Sequence, residues 1–317
     1  MARDTLAREV ALRNTMEEDK KAAKKAIAAG NARGPRLRAR VEAALGAASC
    51  SHLRRYGNVR INLGMTSNSL QLLLGAVRRA NDVELFEQTL AGGDAEKAFK
   101  SVHPDGTHSG WQFAAASRGP RQRPLRLKLF KQDKELLVQP LCVEASERPA
   151  LIELQDCICR ALQVQVREIG GAPLAMSTFP GGTVQLVHED GQQSNLGVML
   201  ALEDGSPSTR FVDATGMGCE TRRPSQPQLR ERAATFASAS DLPAGPPLMC
   251  GEATLFDTSW PHAGPPVNAS APVRNTIFIA LTGGSHARRK RTYDAPIYTE
   301  AAQKLCDEQN RKLARKE

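Results

Sequence analysis

The hydrophobic pattern of the second half of the chain restricts its fold more than any other feature. From residue 120 onward, apolar residues alternate with polar ones, and short apolar runs are separated by turns rich in glycine and proline. Alternation with a period of two is typical of strands that bury one face, and many such strands predict a sandwich or barrel. The predicted strands cover residues 125–129, 135–144, 173–179, 183–190, 196–203, 208–213, 247–250, 252–257 and 273–282.

Helices are predicted mainly outside this run of strands. Residues 1–29 are rich in alanine, lysine, arginine and glutamate, which favour helix. A basic hinge follows at residues 31–40, and the apolar positions of residues 149–164 recur with helical spacing. Gly170 and Gly171 are predicted to end that segment. Further helices are predicted at residues 69–80, at 83–90 and in the tail after residue 293.

Composition and charge limit the classes of protein only loosely. The chain has 317 residues, of which 41% are hydrophobic and 4% aromatic, so its core must be mostly aliphatic. Its net charge of +9 favours contact with nucleic acid, an acidic partner or a membrane surface, although much of that charge lies near the two ends. No apolar run approaches the roughly 20 residues that would predict a membrane span.

The cysteines indicate a reducing compartment. The chain has seven, an odd number at irregular spacing, and the sequence begins without a recognisable signal peptide. We therefore expect free thiols and an intracellular location, cytoplasmic or nuclear. Cys157 and Cys159 are separated by one residue and have no second pair, which makes a zinc site there a weak candidate.

The segment GGTVQLVHED, residues 181–190, predicts a metal site. It ends an apolar run with His188 and Asp190, which are two residues apart and therefore on the same face of an extended strand. His262, which follows a later predicted strand, is the best candidate for a third ligand. Two histidines and one carboxylate with open positions are the pattern of non-haem Fe(II) oxygenases.

A second pair with the same spacing, His103 and Asp105, is a rival for this role. Pro104, Gly106 and Gly110 predict a loop around it, and no strand would align its side chains. We therefore prefer the pair at the end of residues 181–190.

Arg274 and Thr276 are predicted to bind an anion. Arg274 begins the apolar run VRNTIFIAL, and an arginine pointing into a barrel is costly to bury unless it meets a negative charge. Its guanidinium matches a carboxylate in bidentate geometry. Thr276 is two residues further on, so its hydroxyl lies on the same face and can donate to the same carboxylate.

Taken in order, His188-x-Asp190, His262 and Arg274-x-Thr276 resemble the Fe(II)/2-oxoglutarate-dependent dioxygenase superfamily. The turn Phe179-Pro180-Gly181 is similar to that of the prolyl-hydroxylase-like branch, whereas PHAGPPVNASAPVR, residues 261–274, is similar to the phytanoyl-CoA-hydroxylase-like branch. Because the two branches conflict, the resemblance identifies the superfamily alone. It covers residues 146–283, about half of the chain.

The resemblance implies a fold and a reaction. The fold is mainly β with flanking helices (α+β), with a double-stranded β-helix, or jelly roll, as its core. We expect a basic, mostly helical N-terminal region at 1–120, the dioxygenase domain at 121–292 and a C-terminal helix at 293–317.

By the same resemblance, His188, Asp190 and His262 hold Fe(II), and Arg274 with Thr276 binds the far carboxylate of 2-oxoglutarate. Dioxygen is the second co-substrate, ascorbate is a candidate reductant, and succinate and carbon dioxide leave as an unidentified substrate is hydroxylated.

Other readings stay open at this stage. Taken alone, each of four residues could be an ordinary strand-end, loop or surface residue: His188, Asp190, His262 and Arg274. A metal-binding scaffold without 2-oxoglutarate would keep the fold, although Arg274 counts against it. A faint similarity of HEDGQQSNLGVMLAL to nucleic-acid-modifying enzymes keeps a base-oxidising dioxygenase as an alternative. A further alternative is a non-catalytic basic protein that binds nucleic acid or a partner on a jelly-roll scaffold.

The substrate cannot be read from the sequence, but two basic segments bear on it. The polar insert at 214–245 contains four arginines, which would suit an acidic or phosphate-bearing substrate beside the site, or lie on a plain surface loop. The four are Arg222, Arg223, Arg230 and Arg232. The cluster HARRKR at 286–291 is a candidate nuclear localisation signal or phosphate contact, or a solvated edge.

Overall fold

The computed structural model describes residues 36–90, 98, 136–180, 185–190, 196–215, 217, 223–266, 271–281, 297–305 and 308. The helix predicted at 1–29, the strand at 125–129, the pair His103 and Asp105, and the basic cluster at 286–291 lie outside these residues. None of the helices in these ranges combines the length and the apolar character that a membrane span requires.

The described elements follow a clear order along the chain. The helices are α1 (36–44), α2 (Gly46–Tyr56), α3 (Ser67–Ala80), α4 (Val83–Leu90), α5 (Arg148–Leu162), α6 (Gln226–Ala233) and α7 (300–305). The strands are β1 (Asn58–Asn62), β2 (Leu136–Pro140), β3 (Ile169–Thr178), β4 (His188–Glu189), β5 (Leu196–Ala201), β6 (Arg210–Phe211), β7 (Glu252–Asp257), β8 (His262–Ala263), β9 (Arg274–Leu281) and β10 (Ile297–Tyr298).

The strands form two antiparallel sheets, in agreement with the prediction of sheets flanked by helices. The larger sheet has the order β1-β7-β5-β9-β3-β2, and the smaller has the order β10-β4-β8-β6. From β3 to β9 the chain alternates between the two sheets with each successive strand. Every pairing within the sheets is antiparallel.

The two faces of the larger sheet have different partners. One face packs against helices α1, α2, α3 and α5, and the shared core is aliphatic, with Leu53, Leu73, Leu154 and Ile277 among its members. The other face turns toward the smaller sheet and carries larger aromatic groups. Phe256 of β7 lies 5.6 Å from Phe211 of β6, measured between ring centroids, so the two sheets pack together there. We call the sides that face each other the inner faces.

Several predicted elements are confirmed and others need correction. β7 has the bounds predicted from sequence, and α5 covers nearly all of its predicted range, with Pro149 in its first turn, where proline is tolerated. The expected strand at 247–250 is wrong, because in that range only Leu248 forms an isolated bridge, to Ser206. Part of the expected basic hinge is helical, since residues 36–40 lie in α1.

Two further corrections concern strands. Gly170 and Gly171 do not end a segment but lie within β3, where the register with β9 shifts between Gly170 and Leu174. Glycine is common at such irregularities because it has no side chain to pack. The tail after residue 293 was predicted to be helical only, but Ile297 and Tyr298 pair with β4 before α7 begins.

Candidate metal centre and anion pocket

Three side chains meet on the inner face of the smaller sheet. β4 and β8 pair so that His188 lies opposite His262, and Asp190 follows two residues after His188. The Nε2 atom of His188 is 3.3 Å from Oδ1 of Asp190, and Nε2 of His262 is 3.4 Å from Oδ2. One ligand atom from each residue lies within 4.8 Å of the others, and among the described residues this is the group suited to hold a metal ion.

The backbone orients both imidazole rings. Nδ1 of His188 lies 2.8 Å from the carbonyl oxygen of Leu186, and Nδ1 of His262 lies 2.7 Å from that of Trp260. A carbonyl oxygen can only accept, so each Nδ1 must carry the hydrogen. A neutral imidazole then keeps its lone pair on Nε2, the atom that faces Asp190.

Asp190 is charged in this setting. Burial alone would raise its pKa, but His262 and His188, when they carry a proton on Nε2 as well, supply positive charge and hydrogen bonds that outweigh that effect and hold the pKa well below its usual range. The histidines are themselves buried, at 6% and 4% exposure. The site therefore presents one negative charge and two imidazole nitrogens in a largely dry environment.

These donors fit Fe(II). Two ligand atoms each about 2.1 Å from one ion, at right angles, lie about 3 Å apart, close to the 3.3 and 3.4 Å found here. Two imidazoles and one carboxylate are the protein ligands of the facial triad, which leaves coordination positions open.

Aromatic rings flank the two histidines along the sheet. Tyr298 of β10 lies opposite His188 in the strand register, and their ring centroids are 6.2 Å apart. On the other side, Phe211 lies opposite His262 at a centroid distance of 5.7 Å. The sequence reasoning missed Tyr298, because a strand of two residues carries no periodic signal.

Arg274 is buried at the start of β9. It is 5% exposed, its Nε donates to the carbonyl oxygen of Pro207 at 2.8 Å, and its Nη2 has no hydrogen-bond partner among the described residues. Burial lowers its pKa to about 10, and no carboxylate in the described ranges contributes to that value. The guanidinium is therefore still charged at neutral pH and lacks a counter-ion from these residues.

Thr276 lies beside Arg274 on the same face of β9 and shares this feature. Its hydroxyl is buried and has no partner in the described part of the chain. Phe278, two residues further along, packs against Phe256, which in turn lies 5.2 Å from the ring of His262. The two unpaired polar groups and the three metal-ligand candidates therefore share the interior between the sheets.

The arginines of the insert contact the protein itself. Arg230 donates from Nε and Nη2 to both oxygens of Glu189, each at 2.9 Å, and Nε of Arg232 donates to the carbonyl oxygen of Asp213. Nε of Arg223 donates to Asp257 at 2.8 Å. These three arginines therefore do not support the prediction of an acidic substrate, and Arg222 lies outside the described residues.

Asp257 holds the turn that leads to His262. Its carboxylate is fully buried and accepts from Arg38 of α1, from Arg223 and from Ser259. Burial would raise its pKa, but the charges of the two arginines and the hydrogen bonds from Ser259 and Arg38 hold it below the usual range. The two arginines of this network could not be predicted from the sequence, because both are far from Asp257 along the chain.

Comparison with known proteins gives matches only among solved structures. No protein-family model matches the chain, and no curated protein does either. The non-heme alpha-ketoglutarate-dependent carbocyclase SnoK from nogalamycin biosynthesis is 13% identical, with 83% of this chain and 90% of that chain covered and a TM-score of 0.41.

Two further structures illustrate the range of matches. HygX from Streptomyces hygroscopicus, solved with nickel and 2-oxoglutarate bound, is 10% identical, with 75% and 87% covered and a TM-score of 0.39. A prolyl hydroxylase from Trichoplax adhaerens, in complex with a hypoxia-inducible-factor peptide, is 12% identical, with 81% and 94% covered and a TM-score of 0.42.

Proposed function

We propose that this chain is an Fe(II)- and 2-oxoglutarate-dependent dioxygenase that hydroxylates an unidentified substrate, either a protein side chain or a small molecule. The observation that carries the proposal is Arg274, a buried cation without a counter-ion among the described residues, on an inner face that it shares with the candidate metal ligands. Burying an unpaired charge is costly, so its presence beside an iron-type donor set indicates an anionic ligand.

The alternation of strands between the sheets supports this reading of the fold. A chain that places successive strands in two facing antiparallel sheets winds as a double-stranded β-helix, and the order found here is consistent with one. In our proposal this jelly roll forms the core of a dioxygenase domain at 121–292, flanked by an N-terminal region at 1–120 and a C-terminal segment at 293–317. An intracellular location, cytoplasmic or nuclear, is part of the same proposal.

In this proposal each residue has a defined task. His188 and His262 bind Fe(II) through Nε2, the nitrogens left free for a ligand by the carbonyl contacts of Nδ1. Asp190 supplies the third ligand and one negative charge. Arg274 and Thr276 donate hydrogen bonds to the far carboxylate of 2-oxoglutarate, which satisfies the two unpaired groups.

Iron and 2-oxoglutarate together supply the chemistry: reduction of dioxygen, decarboxylation of 2-oxoglutarate to succinate and insertion of one oxygen atom into a C–H bond of the substrate. The protein's own contribution is to orient the ligands and exclude water. Phe211, Phe256 and Phe278 line the inner faces around His262 and limit access of water to the site.

The same geometry weighs on the alternatives. A metal-binding scaffold without 2-oxoglutarate does not explain why the charge of Arg274 is buried without a counter-ion among the described residues. A base-oxidising enzyme would use the same metal centre and differ only in the substrate, so it remains a variant of the proposal.

The test is binding and turnover of 2-oxoglutarate by the full chain. We expect the Fe(II)-loaded protein to bind 2-oxoglutarate anaerobically in calorimetry and, with dioxygen, to form succinate even without the prime substrate. Arg274→Gln should weaken 2-oxoglutarate binding at least about 100-fold, since hydrogen bonds to a charged group contribute about 1.5–3 kcal/mol each.

The matched control is Arg60→Gln, which removes an arginine on the outermost strand of the same large sheet, where it bonds the carbonyl oxygens of Pro246 and Pro247. It should leave 2-oxoglutarate binding unchanged. Failure of the Fe(II)-loaded wild type to bind 2-oxoglutarate would contradict the proposal.

A further inference from the structure

A fully buried amide lies between the two anion-binding candidates. Asn275 is 0% exposed and, as the residue between Arg274 and Thr276 in β9, points to the opposite face of the strand. Its Nδ2 donates to Oε2 of Glu203 at 3.1 Å and to the carbonyl oxygen of Val273 at 3.3 Å. Its Oδ1 accepts from the hydroxyl of Ser177 at 2.7 Å, so both the oxygen and the nitrogen of the amide have hydrogen-bond partners.

This amide belongs to a directional chain of hydrogen bonds behind the anion pocket. Nδ2 of Asn81, at the end of α3, donates to the hydroxyl of Ser177 at 2.8 Å, and Ser177 donates to Asn275. Asn275 donates to Glu203, so the chain ends on a carboxylate. Hydrogen bonds aligned in one direction strengthen one another in a buried setting. The chain therefore fixes the start of β9 against β3 and α3.

Glu203 replaces a missing strand partner. β5 pairs with β9 only as far as Ala201, which lies opposite Thr276. Beyond that point the carboxylate of Glu203 accepts the backbone N–H of Asn275 at 3.3 Å, in addition to its side-chain amide. The segment after Glu203 also supplies the carbonyl oxygen of Pro207 that accepts from Arg274. One short segment thus holds both the backbone and the side chain at the start of β9.

We propose that Glu203 and Asn275 are positioning residues that set the place of the Arg274 guanidinium and so determine the affinity for 2-oxoglutarate. This inference rests on the proposed function. The ion pair between Arg274 and a carboxylate depends on bidentate geometry, and a displacement of about 1 Å in a site of this kind can cost up to about 100-fold. Neither positioning residue contacts the ligand, since both side chains lie behind the strand.

The test measures dissociation constants for 2-oxoglutarate and for Fe(II) separately, by anaerobic calorimetry on the full chain. Glu203→Ala removes the acceptor, and we expect it to raise the dissociation constant for 2-oxoglutarate about tenfold while that for Fe(II) changes less than about twofold. Glu203→Gln keeps an acceptor oxygen at the same place and should stay within about threefold of wild type for both ligands.

Ser177→Ala interrupts the chain of hydrogen bonds one residue further from the pocket than Asn275. It also provides a test if Glu203→Ala does not fold. It should raise the 2-oxoglutarate dissociation constant about threefold. The matched control is Ile279→Val, which loosens the core of the same strand away from the pocket. It should lower the melting temperature without changing 2-oxoglutarate binding.

The outcomes separate the two proposals. Wild-type binding of 2-oxoglutarate together with unchanged affinity in Glu203→Ala and Ser177→Ala would overturn this inference alone. The inference also fails if Ile279→Val weakens 2-oxoglutarate binding as much as they do, because the effect would then follow stability. No binding by the Fe(II)-loaded wild type would overturn the proposed function and this inference with it.

Discussion

His188 and His262 face each other across β4 and β8, and each ring is held by the carbonyl group of the residue two positions before it. The same local contact therefore orients both Nε2 atoms toward Asp190. It follows that the geometry of the site depends on the extended backbone before each histidine. The ring centroids are 4.8 Å apart, close enough for both rings to share one ion.

His262→Gln tests the role of this pair. It removes an imidazole ligand but leaves a polar side chain in the sheet, and we expect the affinity for Co(II) or Fe(II) to fall at least about 100-fold, because loss even of outer-sphere partners costs 10- to 100-fold. The control is His52→Gln, a histidine on α2 whose ring packs at a tilt against Tyr56. Calorimetric titration with Co(II) checks both, and equal affinity in the two variants would rule out the assignment.

Arg274→Met should separate stability from function. A methionine of similar length removes a buried charge that has no counter-ion among the described residues. We expect the free energy of unfolding without ligand to stay the same or rise by about 1–4 kcal/mol. Binding of 2-oxoglutarate to the Fe(II)-loaded protein should fall at least about 100-fold.

The matched control is Arg38→Met, a mostly buried arginine that does have a counter-ion in Asp257. Removing one partner of a buried pair costs about 3–5 kcal/mol. The free energy of unfolding, measured in urea, should therefore fall in Arg38→Met and stay the same or rise in Arg274→Met. A loss of stability in Arg274→Met as large as that in Arg38→Met would show that Arg274 is a structural residue.

Local patterns made part of this molecule predictable from its sequence. Short apolar runs between turns rich in glycine and proline located β5, β7 and β9, and helical spacing of apolar residues located α5. Each of these elements is long enough for its residue types to show where it lies. The short spacing of His188 and Asp190 predicted that they share a face. The strand before His262 was expected to run beside that of His188, but this strand is β7 of the larger sheet; the strand that pairs with β4 is β8, which contains His262 itself.

The rest depends on contacts that no local pattern records. β4, β6, β8 and β10 are two residues long each, so their pairing is determined by the tertiary structure. The partners of Asp257 come from α1 and from the insert, and Tyr298 reaches His188 only because the tail pairs with β4. From the sequence, the arginines of the insert were candidates for binding a substrate. In the structure, three of them instead form hydrogen bonds with other residues of the protein.

Gly57→Ala should weaken both the fold and the metal site. Gly57 adopts φ 73°, a conformation that side chains disfavour, and a Cβ atom there would overlap the indole of Trp260. Because the carbonyl of Trp260 orients His262, displacement of the tryptophan should reach the metal site. We expect a lower melting temperature and weaker Co(II) binding, the latter by about tenfold.

Gly64→Ala provides the comparison, since Gly64 has φ 68° but a Cβ atom there would meet no described atom within 4 Å. Its cost should be limited to the left-handed conformation, about 1–2 kcal/mol. If urea unfolding and Co(II) titration give the same results for both glycine variants, contact with Trp260 has no influence on the metal site.

Asp257→Asn should produce a stability difference that depends on pH. The folded protein holds the pKa of Asp257 below its ordinary value, so its carboxylate stabilises the fold above that value and loses this contribution as the pH falls through the folded pKa. At pH 7 the variant removes the carboxylate that pairs with Arg223 and one of the two that pair with Arg38, the other being Glu42, and we expect a loss of about 3 kcal/mol. The difference in the free energy of unfolding between Asp257→Asn and wild type should narrow as the pH drops below about 3.9, where the carboxylate of the unfolded chain is already protonated.

Urea unfolding at pH 7 and pH 3 measures this change, and Arg223→Met, which removes one of the two cations, should show a weaker pH dependence than wild type. A gap between Asp257→Asn and wild type that stays constant over this range would mean that the buried carboxylate does not stabilise the fold through its charge.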